Sequence, residues 1–253
     1  MSNPNPLHSR AIGTWLSIPH PTVAEALAGL DYDFAVIDTE HAATTTESVE
    51  NMIRAIEAAG DTAPLARAAW NDPVRIKRLL DTGVAGLMIP MVETSDEARA
   101  AVAAMSYPPE GGRGIAASRA SGYELTPEYV ERVSTDLTTI VQIETEKGVR
   151  NATEIAAVSG IDALFVGPAD LSGSLGVFGQ FDSESFTDAL TRVIDAGEKA
   201  EKPVGTLATS EAEIERWHDA GFDFLIAGTD IGHLRTGGTR AIETYRSLGY
   251  SSR

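Results

Sequence analysis

Cysteine is absent from the 253 residues of this chain, and no long run of apolar residues occurs in it. The first absence excludes disulfides, thiolate nucleophiles and zinc–sulfur sites. The second excludes a transmembrane helix, which needs roughly 20 consecutive apolar residues. The first ten residues are polar and contain proline, so they also lack the apolar centre of a secretion signal. We therefore expect a soluble, cytoplasmic protein.

Positive charge is also scarce, because 20 lysines and arginines stand against 37 acids and give a net charge of −17. Such a chain lacks the basic surface that nonspecific binding of nucleic acid requires. Its few lysines are Lys77, Lys147, Lys199 and Lys202. An acidic, lysine-poor surface is typical of a halophilic protein, in which salt screens the repulsion between charges. An ordinary acidic enzyme is the alternative.

Short apolar runs and amphipathic helical patterns alternate along the whole chain. Eight predicted strands lie at 13–18, 34–40, 64–69, 86–92, 138–145, 163–167, 203–208 and 224–229. They are rich in Val, Ile and Leu without strict alternation, which is typical of parallel strands buried on both faces. Helical patterns lie at 22–29, 47–59, 73–81, 95–105, 127–134, 149–158, 183–200, 210–220 and 231–248.

Eight strands that alternate with helices predict an α/β protein with one domain over residues 1–253. The length and the even spacing favour a (β/α)8 TIM barrel with an additional C-terminal helix. A doubly wound sheet is the alternative, but it offers no natural place for an eighth, evenly spaced strand. In a barrel, the carboxyl ends of the strands form one rim, and active sites lie there.

Two predicted strands end in carboxylates, Glu144 and Asp170, which lie about one β/α unit apart. Two carboxylates with water positions left over are suited to Mg²⁺ or Mn²⁺. The alternative is that each acid only caps the helix that follows it.

Two further side chains at the predicted rim can carry catalysis. Arg67 ends the third strand, where it can bind a carboxylate or stabilise an enolate oxygen. His41 follows the second strand and can accept a proton, directly or through water. An ion pair of Arg67 with Asp38 or Glu40 is the alternative, and both readings can hold together.

A lysine Schiff base would be another way to activate a carbonyl substrate. Of the four lysines, only Lys147 comes near the predicted rim. The glycines at 167, 173 and 176 have neither the lysine nor the spacing of a phosphate-binding loop. The sequence therefore favours a metal over a Schiff base or a nucleotide.

Six segments, taken together and in this order, resemble the HpcH/HpaI aldolase family of metal-dependent pyruvate aldolases on a modified TIM barrel. They are IDTEHA at 37–42, KRLLDTG at 77–83, LMIPMV at 87–92, YPPEGGRG at 107–114, VQIET at 141–145 and VGPADLS at 166–172. The resemblance implies a class II aldolase that reversibly cleaves a 4-hydroxy-2-oxo acid to pyruvate and an aldehyde. A 2-keto-3-deoxy sugar acid is the expected substrate, and a substrate from aromatic catabolism, of the 4-hydroxy-2-oxoheptanedioate type, is the alternative.

The resemblance also implies roles for the residues at the rim. Glu144 and Asp170 would hold the divalent cation, Mg²⁺ or Mn²⁺, with Co²⁺ as a further candidate. Gln142 and the backbone at Ala169 would bind the pyruvate unit. Arg67 would stabilise its enolate.

The remaining roles concern the base and the aldehyde. His41 would be the general base, with Asp81 raising its basicity, and Trp15 and Leu207 would line the aldehyde pocket. Asp81 ends the helix before the fourth strand, so an ideal barrel places it at the end opposite His41. We therefore expect Asp81 to act across a subunit interface, or its helix to depart from ideal geometry. The family is commonly homo-oligomeric, as trimers or hexamers with an exchanged terminal helix.

Two other function classes are open at this stage. One is a citrate-lyase-like enzyme that acts on an acyl-CoA thioester, although this acidic chain lacks a basic patch for the nucleotide. The other is a noncatalytic binding protein that kept the barrel.

Overall fold

The computed structural model describes residues 6–7, 10–126 and 128–249, and in it eight parallel strands close into one barrel. Each strand pairs with its neighbour in sequence, and β1 pairs with β8 to complete the ring. The strands are β1 Ile12–Leu16, β2 Phe34–Asp38, β3 Ala63–Arg67, β4 Gly86–Ile89, β5 Thr138–Ile143, β6 Ala163–Val166, β7 Val204–Ala208 and β8 Phe224–Thr229. The predicted TIM barrel is confirmed, and every predicted strand is present.

Helices connect the strands on the outside of the barrel. Those of the described residues are α1 Pro21–Ala28, α2 Thr46–Ala59, α3 Pro73–Leu80, α4 Ser95–Met105, α5 Tyr129–Asp136, α6 Glu146–Arg150, α7 Ala152–Ala156, α8 Pro168–Ser174, α9 Glu184–Lys199, α10 Glu211–Asp219 and α11 Asp230–Ser247. Residue 127, the predicted start of the fifth helix, lies outside the described residues. The additional C-terminal helix is present as α11.

One helical prediction was wrong, and one helix was not predicted. The single helix expected at 149–158 is divided into α6 and α7 at Asn151, whose side-chain amide donates to the carbonyl of Glu93 at 2.7 Å. Helix α8 is the one that was not predicted. Pro168 begins α8, a position where its missing N–H costs no hydrogen bond.

The strands are buried on both faces, which explains their continuous apolar character. Along β2, Val36 packs inside the barrel, whereas Ala35 and Ile37 pack outward against the helices. Phe165 and Phe224 fill the inside, with ring centroids 6.3 Å apart. The two apolar layers meet at the strands, so the barrel is a solid core that holds its rim in place.

Aspartates secure the amino end of the barrel in a repeated arrangement. Asp33, Asp162 and Asp223 each immediately precede a strand. Each accepts a backbone N–H from the first or second residue of the strand before that one. The distances are 2.7, 2.7 and 2.9 Å. These carboxylates therefore fix the strand starts at the end away from the rim.

Helix α11 begins at a buried residue, Asp230, and then leaves the barrel, since nearly all its later residues are exposed. Its exposed apolar side chains include Leu234, Ile242 and Tyr245. Within the described residues, no helix combines the length and apolarity that crossing a membrane demands.

Candidate active site

The period of two along the strands turns polar side chains inward at the carboxyl end of the barrel. Asp38, Arg67 and Gln142 each come two residues after an apolar side chain of the inner layer. Asp38 and Arg67 also stand side by side in the register of β2 and β3. The inner face of the barrel therefore ends in a charged layer, as the rim prediction requires.

Arg67 is the buried cation of this layer. Its Nε and Nη2 donate to Asp38 at 3.0 and 2.8 Å, and its Nη1 lies 2.9 Å from Glu40. The side chain is only 9% exposed. The two hydrogen bonds to Asp38 engage two of the five N–H groups of a guanidinium, and the contact with Glu40 is an ion pair, so N–H groups are left for a substrate. The ion-pair reading of Arg67 is thus confirmed without excluding a substrate role.

Trp15, at the end of β1, covers the flat face of Arg67. The guanidinium carbon lies 4.5 Å from the centre of its ring, a cation–π contact. On its other side Trp15 packs against Phe165, with ring centroids 6.2 Å apart. Leu207 of β7 also packs against this inner layer, so both predicted pocket residues lie at the rim.

Glu144 and Gln142 form a second buried group at the end of β5. The Gln142 amide donates to Glu144 Oε2 at 3.0 Å, and the backbone N–H of Met91 donates to Glu144 Oε1 at 2.8 Å. Gln142 Oε1 is buried without a hydrogen-bond partner among the described residues. Gly167 leaves room for this carboxylate, because a Cβ there would overlap Glu144 Oε2.

Asp170 and Ala169 lie in the first turn of α8 and are exposed. The charge of Asp170 acts on Glu144, which places the two predicted metal ligands within electrostatic reach of each other. The cap residues are Thr145 for α6 and Gly167 for α8. The alternative that Glu144 and Asp170 serve as helix caps is therefore wrong.

The acids of the rim differ in how readily they ionise. Burial, together with the charges of Asp170 and Glu40, raises the pKa of Glu144 to about 7. Burial also raises the pKa of Glu40, although Arg67 opposes the change. Burial acts on Asp38 in the same direction, but the hydrogen bonds and charge of Arg67 outweigh it and lower the pKa of Asp38. A cation that bound here would displace a proton from Glu144 at neutral pH.

His41 lies at the mouth of the site with 68% of its side chain exposed. Its Nε2 is 3.9 Å from Glu40, and its backbone N–H donates to Asp38 at 3.3 Å. The loop after β2 therefore directs the imidazole outward, where a substrate or a second chain can reach it.

Asp81 lies apart from this group. It follows α3 at the amino end of β4, where Arg113 Nη2 donates to its carboxylate at 3.1 Å. Arg113 is fully buried and stacks on Tyr107, with 4.6 Å to the ring centre. Within its own chain, therefore, Asp81 pairs with Arg113 and with none of the rim side chains described above.

Lys147 is held away from Schiff-base chemistry. Its Nζ donates to Glu93 at 2.9 Å, and this hydrogen bond raises the pKa of Lys147. A Schiff base needs the neutral amine, which a raised pKa disfavours. Glu93 also accepts from the Thr145 hydroxyl at 2.9 Å, so the pair joins two rim loops.

The rim by itself supplies few metal ligands. Across the described part of the chain, no three His, Cys, Asp or Glu side chains converge to hold a metal ion. Glu144 and Asp170 would therefore leave coordination positions for water and substrate, the usual arrangement for Mg²⁺.

A family model described as HpcH/HpaI aldolase/citrate lyase matches residues 11–236, most of the chain. The chain belongs to this family. A hydroxypyruvate/pyruvate aldolase of Delftia acidovorans is 40% identical over 237 residues, 93% of this chain and 88% of that protein. A 5-keto-4-deoxy-D-glucarate aldolase of Escherichia fergusonii is 37% identical over 240 residues, 94% of this chain and 93% of that protein.

A solved structure points the same way. The crystal structure of a HpcH/HpaI aldolase/citrate lyase family protein from Burkholderia cenocepacia J2315 gives a TM-score of 0.91, with 35% identity and 96% of both chains covered. The chain is a carbon–carbon lyase, an aldolase that forms pyruvate and an aldehyde from a hydroxy-oxo acid. The predicted family and reaction class are confirmed.

Sequence reasoning missed two contributors to this aldolase site. The backbone N–H of Met91 holds Glu144, and no side-chain pattern reveals such a donor. Gly167 provides space for the same carboxylate. Its position between β6 and a helix with Asp170 in its first turn was the sequence feature that could have indicated this role.

Proposed function

We propose that this aldolase depends on a divalent metal and cleaves a 2-keto-3-deoxy sugar acid to pyruvate and a hydroxylated aldehyde. The observation that carries the proposal is the composition of the rim: one buried guanidinium, Arg67, within a ring of carboxylates that includes Glu144. The excess negative charge of the rim attracts a divalent metal ion. The buried Arg67 guanidinium can donate hydrogen bonds to an enolate oxygen.

The residues fit a hard cation. Glu144 is buried, and Gln142 Oε1 beside it has no hydrogen-bond partner among the described residues. Both are oxygen donors, which Mg²⁺ and Mn²⁺ prefer. Glu144 and Asp170 would hold the ion, which when bound would polarise the keto group and offset negative charge on the substrate. Proteins of this family depend on divalent metals.

The pyruvate unit would lie between Arg67 and the start of α8. The backbone at Ala169, in the first turn of α8, would donate an N–H to the substrate carboxylate, and Gln142 would orient the same group. The N–H groups of Arg67 that Asp38 does not engage would donate to the enolate oxygen as charge develops there. Because Asp38 and Glu40 fix the guanidinium beforehand, little reorganisation is needed during the reaction.

His41 would remove the proton of the C4 hydroxyl, and the C3–C4 bond would then break. The electron pair of that bond enters the pyruvate enolate, and the C4 carbon becomes the aldehyde. Asp81 would raise the basicity of His41 from a second copy of the chain, since in its own chain it pairs with Arg113. This role requires a homo-oligomer, and the exposed helix α11 offers a surface for one.

Trp15 and Leu207 would line the aldehyde side of the site. Trp15 stacks on Arg67, so its indole borders the site in which the substrate would lie. The polar loops at the rim favour a hydroxylated aldehyde. The net charge of −17 and the four lysines favour activity at high salt.

The test is pyruvate release from a panel of 2-keto-3-deoxy sugar acids at molar salt, with EDTA and after Mg²⁺ or Mn²⁺ is restored. We expect EDTA to abolish release and the metal to restore it. Glu144→Gln should lose the response to metal while the fold persists. Release that is indifferent to EDTA would refute the metal role, and failure on the whole panel would refute the substrate class.

The role of Asp81 has its own test in mixed oligomers of His41→Ala and Asp81→Asn chains. Each variant alone should be nearly inactive. If Asp81 acts across the interface, mixtures should recover part of the activity, because some sites then receive both intact residues. No recovery in the mixtures would contradict the intersubunit arrangement.

A further inference from the structure

Asp230 is a buried carboxylate to which the reaction assigns no role. It is the first residue of α11 and is only 1% exposed. Its Oδ2 accepts the backbone N–H groups of Ser17 and Ile18 at 2.9 and 2.7 Å, and its Oδ1 accepts that of Ile231 at 2.7 Å. A buried carboxylate held by several amides is a strong and geometrically specific tether.

An irregularity in β8 aims Asp230 at its partners. Between the pairs Gly13–Ile226 and Trp15–Thr229, β1 advances by two residues and β8 by three. Gly228 lies within this extra length with φ of 86°, and a Cβ there would come within 2.6 Å of the His233 ring. Such a bulge redirects the residues that follow it and is common next to active sites.

Helix capping does not account for this carboxylate. The Oγ1 of Thr229 already accepts the N–H of Gly232 at 2.9 Å, and Thr229 is the N-cap of α11. Two of the three hydrogen bonds to Asp230 instead come from the loop after β1, more than 200 residues away in sequence. Asp230 therefore serves that loop more than its own helix.

The tethered loop directly follows β1, the strand that carries Trp15. Ser17 and Ile18 follow Trp15 by two and three residues, and Trp15 lies at 4.5 Å from Arg67. Fixing these two amides fixes the end of β1 and the direction in which the indole points. Arg67 itself does not depend on the tether, because Asp38 and Glu40 hold it from another side.

We propose that Asp230 is a positioning residue that holds Trp15 at the aldehyde side of the site, and so governs capture of the aldehyde without governing formation of the pyruvate enolate. This inference rests on the proposed function. It assigns Asp230 no contact with substrate. A displacement of about 1 Å in a residue that positions the substrate can cost roughly a hundredfold in rate.

The test uses Asp230→Asn, which keeps the shape but loses at least one acceptor, with Asp223→Asn as its matched control. Asp223 makes the same kind of carboxylate–amide tether at the opposite end of the barrel, to Val204 at 2.9 Å. Two half-reactions are measured with Mn²⁺ bound. Condensation of pyruvate with glyceraldehyde reports the aldehyde side, and loss of the C3 protons of pyruvate in D2O, followed by NMR, reports the enolate side.

We expect Asp230→Asn to raise the KM for glyceraldehyde about tenfold or more and to change C3 exchange by less than about twofold. Asp223→Asn should change neither. Adding Asp230→Asn to Trp15→Ala should have no further effect on the KM, because the tether would act through a side chain already removed.

Four results would overturn the inference. In the first, Asp230→Asn matches Asp223→Asn in both half-reactions. In the second, Asp230→Asn lowers C3 exchange as much as aldehyde capture. In the third, it fails to fold, while Trp15→Ala folds with an unchanged KM for glyceraldehyde. In the fourth, its effect on that KM adds in full to the effect of Trp15→Ala. Absence of metal-dependent C3 exchange in the unaltered protein is a separate outcome, which would overturn the proposed function and this inference with it.

Discussion

Lowering the pH should weaken metal binding in this aldolase far more than it would at a site made of two carboxylates with ordinary pKa values. Burial and neighbouring acids raise the pKa of Glu144 to about 7, so below neutral pH most molecules carry a proton where a ligand oxygen is needed. The cation must displace that proton, and its apparent affinity falls as pH falls. Between about pH 8 and about pH 6 the expected loss is about tenfold, whereas an ordinary glutamate would give almost none.

Isothermal titration of Mn²⁺ into metal-free protein measures this loss directly. Near pH 7, binding should also release about half a proton, seen as a dependence of the heat on the buffer. His41→Ala is the control, because it removes the exposed imidazole of the site and should leave the slope unchanged. The assignment of this pH dependence to Glu144 would be refuted if the Mn²⁺ affinity changed by less than about twofold over this pH range. It would also be refuted if the pH dependence of the affinity disappeared in His41→Ala.

Three further perturbations follow from the contacts. Gly167→Ala should abolish Mn²⁺ binding in titrations, because the new methyl group would displace the Glu144 carboxylate, yet it should change the free energy of unfolding little. Gly112→Ala is the control, since nothing lies near its Cβ. Lys147→Ala should keep kcat/KM for pyruvate release within about twofold, and a total loss would revive the Schiff base. Thr94→Ala removes a capping box of α4 and should lower the free energy of unfolding by about 1 kcal/mol in urea titrations, with activity unchanged.

The barrel was predictable because its signals are local and repeated. A strand such as β5 is recognisable from the apolar run at 138–145, and the start of α4 is recognisable from the capping residue Thr94. The errors arose where contacts between distant segments decided the outcome. The helix predicted at 149–158 is interrupted at Asn151, whose side-chain amide donates to the Glu93 carbonyl in the loop after β4.

The same distinction applies to the site. Glu144, Asp170, Arg67 and His41 could be located at the rim because strand ends converge in a barrel, although their catalytic roles stay predictions. Contacts that depend on backbone groups could not be found, since no side-chain type marks them. The Met91 N–H on Glu144 and the Asp230 tether belong to this class.

The most direct test of the central claim is proton exchange at C3 of pyruvate in D2O, followed by NMR at molar salt, with Mn²⁺ or with EDTA. We predict exchange that requires the metal, is lost in Arg67→Ala, and leaves no adduct after borohydride treatment. Exchange that persists in EDTA, with a pyruvate-sized mass fixed on Lys147 by borohydride, would contradict the metal-dependent account.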